Sequence, residues 1–306
     1  MSSLLKAASS PHIRHEDTTS GIMLDVILAL SPAAVFGCVI FGLKAVFVLL
    51  TTILSAVVAE YLWNLILKKP QTIGDMSAVL TGLILGMNLS SDTPLPIATI
   101  GSVAAIIVVK QMFGGLGYNF VNPALSARII LLVSFPSFMT SFLEPLSADA
   151  ITSATPLADT GAYSLQTLFL GWHSGCIGET CAFLLIVGGL YLVVRKVISP
   201  IIPLSFIGTV AILSLVSGGD PLKQILSGGL MLGAIFMATD YVTSPTHNFG
   251  KLIFGIGCGL ITFVIRRFGS LPEGVSYGIL IMNIITPLIN RIPFSRPFGY
   301  KEGKTI

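Results

Sequence analysis

TGLILGMN, residues 81–88, has a divergent copy in GGLMLGAI, residues 228–235. Each copy lies in an apolar run, 76–90 or 225–239, that is short for a full membrane crossing. A polar break containing a proline, Pro94 or Pro245, follows each run. Short or interrupted apolar segments at matching positions in two halves are typical of an internal repeat with a site near the middle of the membrane. The sequence therefore predicts two related halves.

The rest of the chain consists of similar apolar runs. Hydrophobic residues make up 53% of the 306 residues and charged residues 10%, whereas a soluble domain carries about 25% charged residues. A transmembrane helix needs about 20 apolar residues. We therefore predict an all-α integral membrane protein with about ten transmembrane helices. The runs fall at 21–43, 45–67, 76–90, 95–113, 122–139, 178–194, 197–217, 225–239, 250–265 and 274–290.

The ten runs divide into two groups of five. A five-helix unit crosses the membrane an odd number of times, so its second copy must enter from the other side, and an inverted repeat is expected. The predicted divisions are an N-terminal segment 1–20, a first repeat 21–139, a connecting loop 140–177, a second repeat 178–292 and a tail 293–306.

The 17 lysine and arginine residues predict the orientation. If the N-terminus is cytoplasmic, only Lys44, Lys223, Arg266 and Arg267 fall outside, and Arg128 lies within the fifth span. The positive-inside rule favours this arrangement, with both termini in the cytoplasm. The loop 140–177, which contains no lysine or arginine, is then extracytoplasmic. The net charge of +3 gives no reason to expect a nucleic-acid partner.

Three G-x-x-x-G pairs predict close helix packing, because glycine lets helix backbones approach each other. They are Gly82/Gly86, Gly229/Gly233 and Gly255/Gly259.

Charged residues inside spans mark functional sites by default. Asp25 and Glu60 are candidates for an ion path, although each could instead pair with Arg128 or with a helix end. Asp240 closes the short eighth run, where a carboxylate beside unwound backbone can hold a cation or a polar cofactor. The four histidines are scattered and none has metal-ligand spacing, so no metal site is expected, and no side chain is assigned a catalytic role.

The loop 140–177 carries the most informative motif. Asp149-Ala150-Ile151-Thr152-Ser153-Ala154-Thr155 resembles the flavinylation motif D-x-x-[ST]-[GS]-A-T, at which a transferase joins FMN to the threonine through its phosphate. Pro156 biases Thr155 to an extended conformation, which presents the hydroxyl to an enzyme. A polar loop with Ser and Thr capping a helix is the plainer interpretation. Ser153 stands where the motif most often has glycine.

Over its whole length, the chain resembles the RnfD subunits of Rnf electron-transport complexes and the related NqrB subunits. Besides the Thr155 loop, the resemblance rests on three stretches. They are SPHIR (10–14) with IMLDVI (22–27), GGLGYNFVNPA (114–124) and FMATD (236–240). NqrB proteins usually have a longer N-terminal extension, so the resemblance to RnfD is the greater.

The resemblance implies a subunit of a six-subunit membrane complex that moves electrons between reduced ferredoxin and NAD+, coupled to Na+ or H+ transport. A flavin transferase would attach FMN covalently to Thr155 at the outer face. A non-covalent riboflavin would lie deeper, and electrons would pass between the two flavins. Asn119 and Asn122 are predicted to contact the inner flavin, although they could simply cap the fifth helix. Asp240 could contact the same flavin or a coupling ion.

Two other functions fit the same architecture. Inverted five-helix repeats also describe channels and permeases for small polar solutes, and a fold does not fix a function. A membrane subunit without a cofactor that only holds partners together is the third interpretation. Thr155 separates these functions, because a permease has no reason to carry a flavinylation motif on an outer loop.

Overall fold

The computed structural model describes residues 18–145, 156–157, 163–269 and 274–292. The regular structure within these ranges is helical, and they contain no β-strand. The first half contains α1 (Thr19–Phe41), α2 (Leu43–Ile66), a 3₁₀ turn (Ile73–Asp75), α3 (Ser77–Met87), α4 (Leu95–Val103) continued by a π-helix (Ala104–Gln111), α5 (Pro123–Ser134) and α6 (Pro136–Met139). The second half contains α7 (Leu165–Leu170), α8 (Ala182–Val194), α9 (Ile201–Val216), α10 (Pro221–Leu226), α11 (Leu230–Leu232) continued by a π-helix (Gly233–Met237), α12 (Asn248–Phe268) and α13 (Val275–Asn290).

The helices are those of a membrane protein in length and composition. Three of them, α1, α2 and α12, are long and apolar enough to cross a membrane, and several shorter apolar helices accompany them. Large apolar side chains point outward, with Val39 67% and Val216 79% exposed. Small and polar residues lie inside, among them Ser102 and Thr52, which are fully buried. This distribution suits lipid, which solvates apolar side chains and leaves polar groups to pair inside the bundle. Ten spans and an inverted repeat remain predictions.

Two of the glycine pairs pack helices as predicted. A Cβ added at Gly82 would lie 2.7 Å from the Cα of Ile53 in α2, so α3 and α2 are in backbone contact there. On α12, a Cβ added at Gly259 would lie 2.6 Å from the Cβ of Thr209 in α9. In the third pair, Gly229 and Gly233 instead face Glu179 and Val275.

The broken segments of the two halves meet in the interior. α3 stops at Met87, and the corresponding segment of the second half consists of the short α11 and its π-helix. The amide nitrogen of Asn88 lies 3.8 Å from the sulfur of Met237. The loop before α8 also reaches this point, since the Ile177 N–H donates to the Leu89 carbonyl and the Gly178 N–H to the Met87 carbonyl.

Polar contacts mark the two ends of the bundle. Asp25 near the start of α1 pairs with Arg195 at the end of α8, at 3.1 Å, and we call this the Asp25 end. At the opposite end, Lys44 pairs with Asp92 at 2.9 Å. There Arg266 of α12 donates to the carbonyl oxygens of Gln224 and Ser227. We call this the Arg266 end.

The contact between α2 and α3 predicts a difference between two glycine substitutions. In Gly82→Ala, the new methyl group would overlap the backbone of α2, and we expect a loss of about 1–3 kcal/mol of stability. Gly208→Ala in α9 is the matched control, because a Cβ there meets nothing within 4 Å. Thermal unfolding of the detergent-solubilised protein measures both. Equal stability of the two variants would contradict close packing at Gly82.

Candidate functional site

A recess opens between the two halves toward the Asp25 end, and we call it the Asn119 recess. It encloses about 780 Å³ of empty space, including the part open at its mouth. Its polar lining includes Ser77, Lys110, Asn119, Asn122 and Asp240. Its apolar lining includes Ile84, Leu116, Leu192 and Phe236. Apolar walls with a few convergent polar groups are typical of a cofactor or small-molecule site.

Asn119 and Asn122 reach this recess in different ways. The Asn119 Oδ1 atom is buried and has no hydrogen-bond partner among the described residues. Asn122 caps α5, since its Oδ1 accepts from the N–H groups of Ala124 and Leu125. Its Nδ2 donates to the Met237 carbonyl at 3.4 Å. The helix-cap alternative therefore describes Asn122, whereas Asn119 keeps an acceptor for a bound group.

Asp240 lies in the same recess, shortly after the second π-helix. Its Oδ2 atom accepts a hydrogen bond from the Thr243 hydroxyl at 3.1 Å. The structure thus brings together Asn119, Asn122 and Asp240, which come from the two predicted repeats. A π-helix next to such a site is a common feature of functional regions.

Glu60 does not face an open path. Its side chain is fully buried, and its Oε2 atom lies 2.7 Å from the Nζ atom of Lys110, which is itself 2% exposed. The Thr72 hydroxyl donates to the Glu60 Oε1 atom at 2.5 Å. The sequence suggests Arg128 or a helix end as the partner, whereas the structure gives Lys110. In the sequence, that lysine is only an orientation signal, because it stands near the end of an apolar run.

Asp25 lies at the edge of the bundle and is paired there. Besides its contact with Arg195, its Oδ1 atom accepts from the Tyr191 hydroxyl at 2.9 Å. The interpretation as a pairing residue near a helix end fits these contacts, and they give no sign of an ion path at Asp25.

Arg128 forms a buried polar centre that the sequence does not predict as a site. Its guanidinium donates to the backbone carbonyl and to the Oδ1 atom of Asn88, and it lies 3.8 Å from Glu179. Asn88 stands directly after α3, so the arginine satisfies polar groups that the helix break exposes. A cavity of about 250 Å³ adjoins these residues. The only sequence signal is a charge inside the fifth span.

A second recess opens at the Arg266 end. It encloses about 1050 Å³, including open space, and we call it the Arg266 recess. Lys223, Arg266 and Arg267 give it a basic lining, to which Asp220 and Leu157 also contribute. The motif residues Asp149, Thr152, Ser153, Ala154 and Thr155 lie outside the described residues. Leu157, two positions after Thr155, packs closely on Gly228 at this recess, since a Cβ added at Gly228 would lie 2.6 Å from its Cδ1 atom.

The two recesses can serve different ligands. The Asn119 recess offers an unpartnered acceptor, a buried ammonium group and apolar walls, which suit a planar heteroaromatic molecule. The Arg266 recess offers several cations, which suit an anionic group such as a phosphate. No cluster of three or more metal-ligating side chains occurs in the part of the chain that the structure describes.

Comparison with known proteins gives consistent similarities. Residues 6–299 match the family model described as the NQR2, RnfD, RnfE family. Three relatives are the D subunits of ion-translocating complexes. That of the Na(+)-translocating ferredoxin:NAD(+) oxidoreductase complex of Acetobacterium woodii is 48% identical over 98% of this chain and 97% of its own. That of the proton-translocating ferredoxin:NAD(+) oxidoreductase complex of Clostridium ljungdahlii is 45% identical over 96% of both chains. That of the ion-translocating oxidoreductase complex of Stutzerimonas stutzeri is 38% identical over 91% of both.

The buried Lys110–Glu60 pair predicts a non-additive pattern of stability. Lys110→Met alone leaves the Glu60 carboxylate buried without its cation, which should cost about 3–5 kcal/mol. Adding Glu60→Gln to that variant should recover much of the loss. Lys44→Met is the control, because the exposed pair with Asp92 contributes at most about 1 kcal/mol. Thermal unfolding in detergent measures the series, and a double variant no more stable than Lys110→Met would contradict the pairing.

Proposed function

Because the chain belongs to the NQR2, RnfD, RnfE family, we propose that it is the flavin-carrying membrane subunit of an ion-translocating ferredoxin:NAD+ oxidoreductase complex. The observation that carries the proposal is the similarity, over nearly the whole length, to D subunits whose names state that reaction. The chain is thus part of a translocase and has no complete active site alone. The permease and cofactor-free interpretations gain no support from these relatives.

The proposed arrangement in the membrane has ten transmembrane helices in two inverted repeats, with both termini in the cytoplasm. The Asp25 end then faces the cytoplasm, and the Arg266 end faces outward with the Thr155 loop. The basic residues support this orientation under the positive-inside rule. The meeting of Asn88 with Met237 supports the pairing of the broken segments of the two halves.

Covalent FMN at Thr155 is the proposed outer cofactor. The motif from Asp149 to Thr155 supports it, as does the position of Leu157 at the basic Arg266 recess. A phosphodiester to threonine keeps one negative charge, which Lys223, Arg266 and Arg267 would balance. A flavin transferase is required as a partner to make the bond.

A second flavin, riboflavin, is proposed for the Asn119 recess. The residues fit it, because the unpartnered Asn119 Oδ1 can accept from the N–H of an isoalloxazine edge. Asp240 and Lys110 are charged groups at the same recess, and apolar residues such as Phe236 would lie against the ring. A bound flavin supplies one-electron and two-electron transfer, whereas the protein binds it, orients it and tunes its potential.

The proposed partners are the other subunits of a six-subunit Rnf-type complex. The relatives leave the coupling ion open, because one named for Na+ and one named for protons are 48% and 45% identical to the chain. Electrons would pass across the membrane between the inner and the outer flavin, past the buried centre around Arg128.

Thr155→Ala should abolish covalent flavin. The protein is co-expressed with an FMN transferase, and its intact and peptide masses are measured together with its fluorescence in a denaturing gel. The natural chain should gain the mass of FMN less water at Thr155, and Thr155→Ala should gain none. Thr160→Ala, in the same connection but outside the motif, is the control and should keep the modification. An unmodified natural chain beside an active transferase would favour a permease or a scaffold, and Ser153→Gly would then test whether Ser153 blocks the reaction.

Asp240→Asn should impair ion-coupled electron transfer and leave assembly of the complex intact. The change removes a negative charge from the Asn119 recess but keeps the shape and an acceptor for Thr243. Loss of one charged hydrogen bond corresponds to roughly a tenfold effect. Membrane vesicles are assayed for ferredoxin-dependent NAD+ reduction and for ion uptake. Asp220→Asn is the control, because asparagine caps α10 as well as aspartate does. Normal coupled activity in Asp240→Asn would remove Asp240 from the mechanism.

A further inference from the structure

A continuous set of hydrogen bonds links the Asn119 recess to the protein surface at the Asp25 end. It runs through Lys110 at the end of the first π-helix, Ser77 at the start of α3 and Asp75 in the 3₁₀ turn. We call these three residues the Lys110 chain. They are close only in the folded protein, because 33 positions separate Ser77 from Lys110.

The distances within the Lys110 chain are short and its polarity is consistent. The Lys110 Nζ atom donates to the Ser77 Oγ atom at 2.6 Å. The Ser77 hydroxyl in turn donates to the Asp75 Oδ1 atom at 2.5 Å. The Ser77 N–H also donates to that oxygen, at 2.8 Å, which fixes the carboxylate against the serine. Each group can pass a proton to or take one from the next group without moving far.

The two ends of the Lys110 chain open to different surroundings. Lys110 and Ser77 both line the Asn119 recess and are themselves buried. Asp75 is only half-buried, and its neighbours Gly74 and Met76 are exposed. The Lys110 chain therefore begins at water and ends where a recess-bound molecule would lie.

Glu60 holds the ammonium group of Lys110 in place. Its Oε2 atom lies 2.7 Å from the Lys110 Nζ atom, and its Oε1 atom accepts from Thr72. The other titratable groups at the recess are Asp240 and Tyr241. Asp240 bonds to Thr243, and the Tyr241 hydroxyl donates to the Val197 carbonyl. Among the described residues at the recess, the bonds that lead to the surface through a second titratable group are those of Lys110.

We propose that Asp75, Ser77 and Lys110 form a proton relay between the surface at the Asp25 end and the flavin bound in the Asn119 recess. This inference rests on the proposed function, which puts a flavin there and supplies its electrons. Side chains in such a series act as general acids and bases in turn.

The relay balances protons and charge. As an electron reaches the bound flavin, Lys110 gives one N–H proton to a ring nitrogen and becomes a neutral amine. Ser77 gives its hydroxyl proton to the amine and takes one from protonated Asp75, and Asp75 takes a proton from surface water. Each bond that breaks is replaced by one of the same kind. The net result is one proton moved from the surface into the recess for one electron received.

Ser77→Ala and Asp75→Asn test the relay in the detergent-solubilised complex. Ser77→Ala removes the central hydroxyl, and Asp75→Asn keeps an acceptor but removes the acid. Ser102→Ala is the matched control, because Ser102 is also fully buried but donates only to the Ala98 carbonyl of its own helix. The readouts are non-covalent flavin released on denaturation, the rate of flavin bleaching on mixing with dithionite, and proton uptake followed with a pH indicator dye.

Flavin content should stay unchanged in all variants. Bleaching and proton uptake should slow at least about tenfold in Ser77→Ala and Asp75→Asn, since general acid–base steps contribute about 10²–10⁴-fold. Their rates should also fall in D₂O by more than those of the natural complex, because proton transfer has become limiting. A merely structural role for Ser77 would not change the isotope effect.

The contrary outcomes are distinguishable. Natural rates and isotope effects in both variants, with flavin present, would overturn the relay and leave the proposed function standing. A natural complex that releases no non-covalent flavin would overturn the inner-flavin part of the proposed function, and the relay with it.

Discussion

The guanidinium of Arg128 stabilises the point at which the bundle is interrupted. Where α3 stops in the interior, its last carbonyl groups have no helical partners, and in an apolar medium each unpaired group costs several kcal/mol. Arg128 donates to the carbonyl and the side chain of Asn88. The loop before α8 supplies further donors from Ile177 and Gly178, to Leu89 and Met87. The break, the loop and the adjoining half of the molecule are therefore held to one another by a few buried polar contacts.

That centre also separates the two recesses. The small cavity around Arg128 shares Arg266 with the Arg266 recess, and it includes Met237, which follows Phe236 of the Asn119 recess. Groups bound at the two ends would thus be separated by a region of buried polar side chains that bond to one another. Such a region leaves little room for a solute to pass, which agrees better with relaying electrons than with conducting a solute.

Tertiary contacts changed the meaning of several charged residues. Glu60 and Asp25 are unusual in their sequence setting, but their partners Lys110 and Arg195 lie 50 and 170 positions away, so sequence spacing could not identify them. Asn122 could be a cofactor contact or a helix cap, and its two backbone hydrogen bonds show the cap. Asn119 precedes the helix and has no such duty, which is why its oxygen remains for a ligand.

The sequence by itself determined the membrane class, the positions of the apolar helices, the close contact at Gly82 and the family. These properties follow from local composition, from spacing along one helix and from motifs, which the linear order preserves. Only the tertiary structure decided that Lys110 neutralises Glu60, that Arg128 supports the break after α3, and that Asp75, Ser77 and Lys110 form one chain to the recess. The physical reason is that a buried charge must find a partner wherever the fold supplies one. The partner is set by helix packing, and the sequence separation does not reveal it.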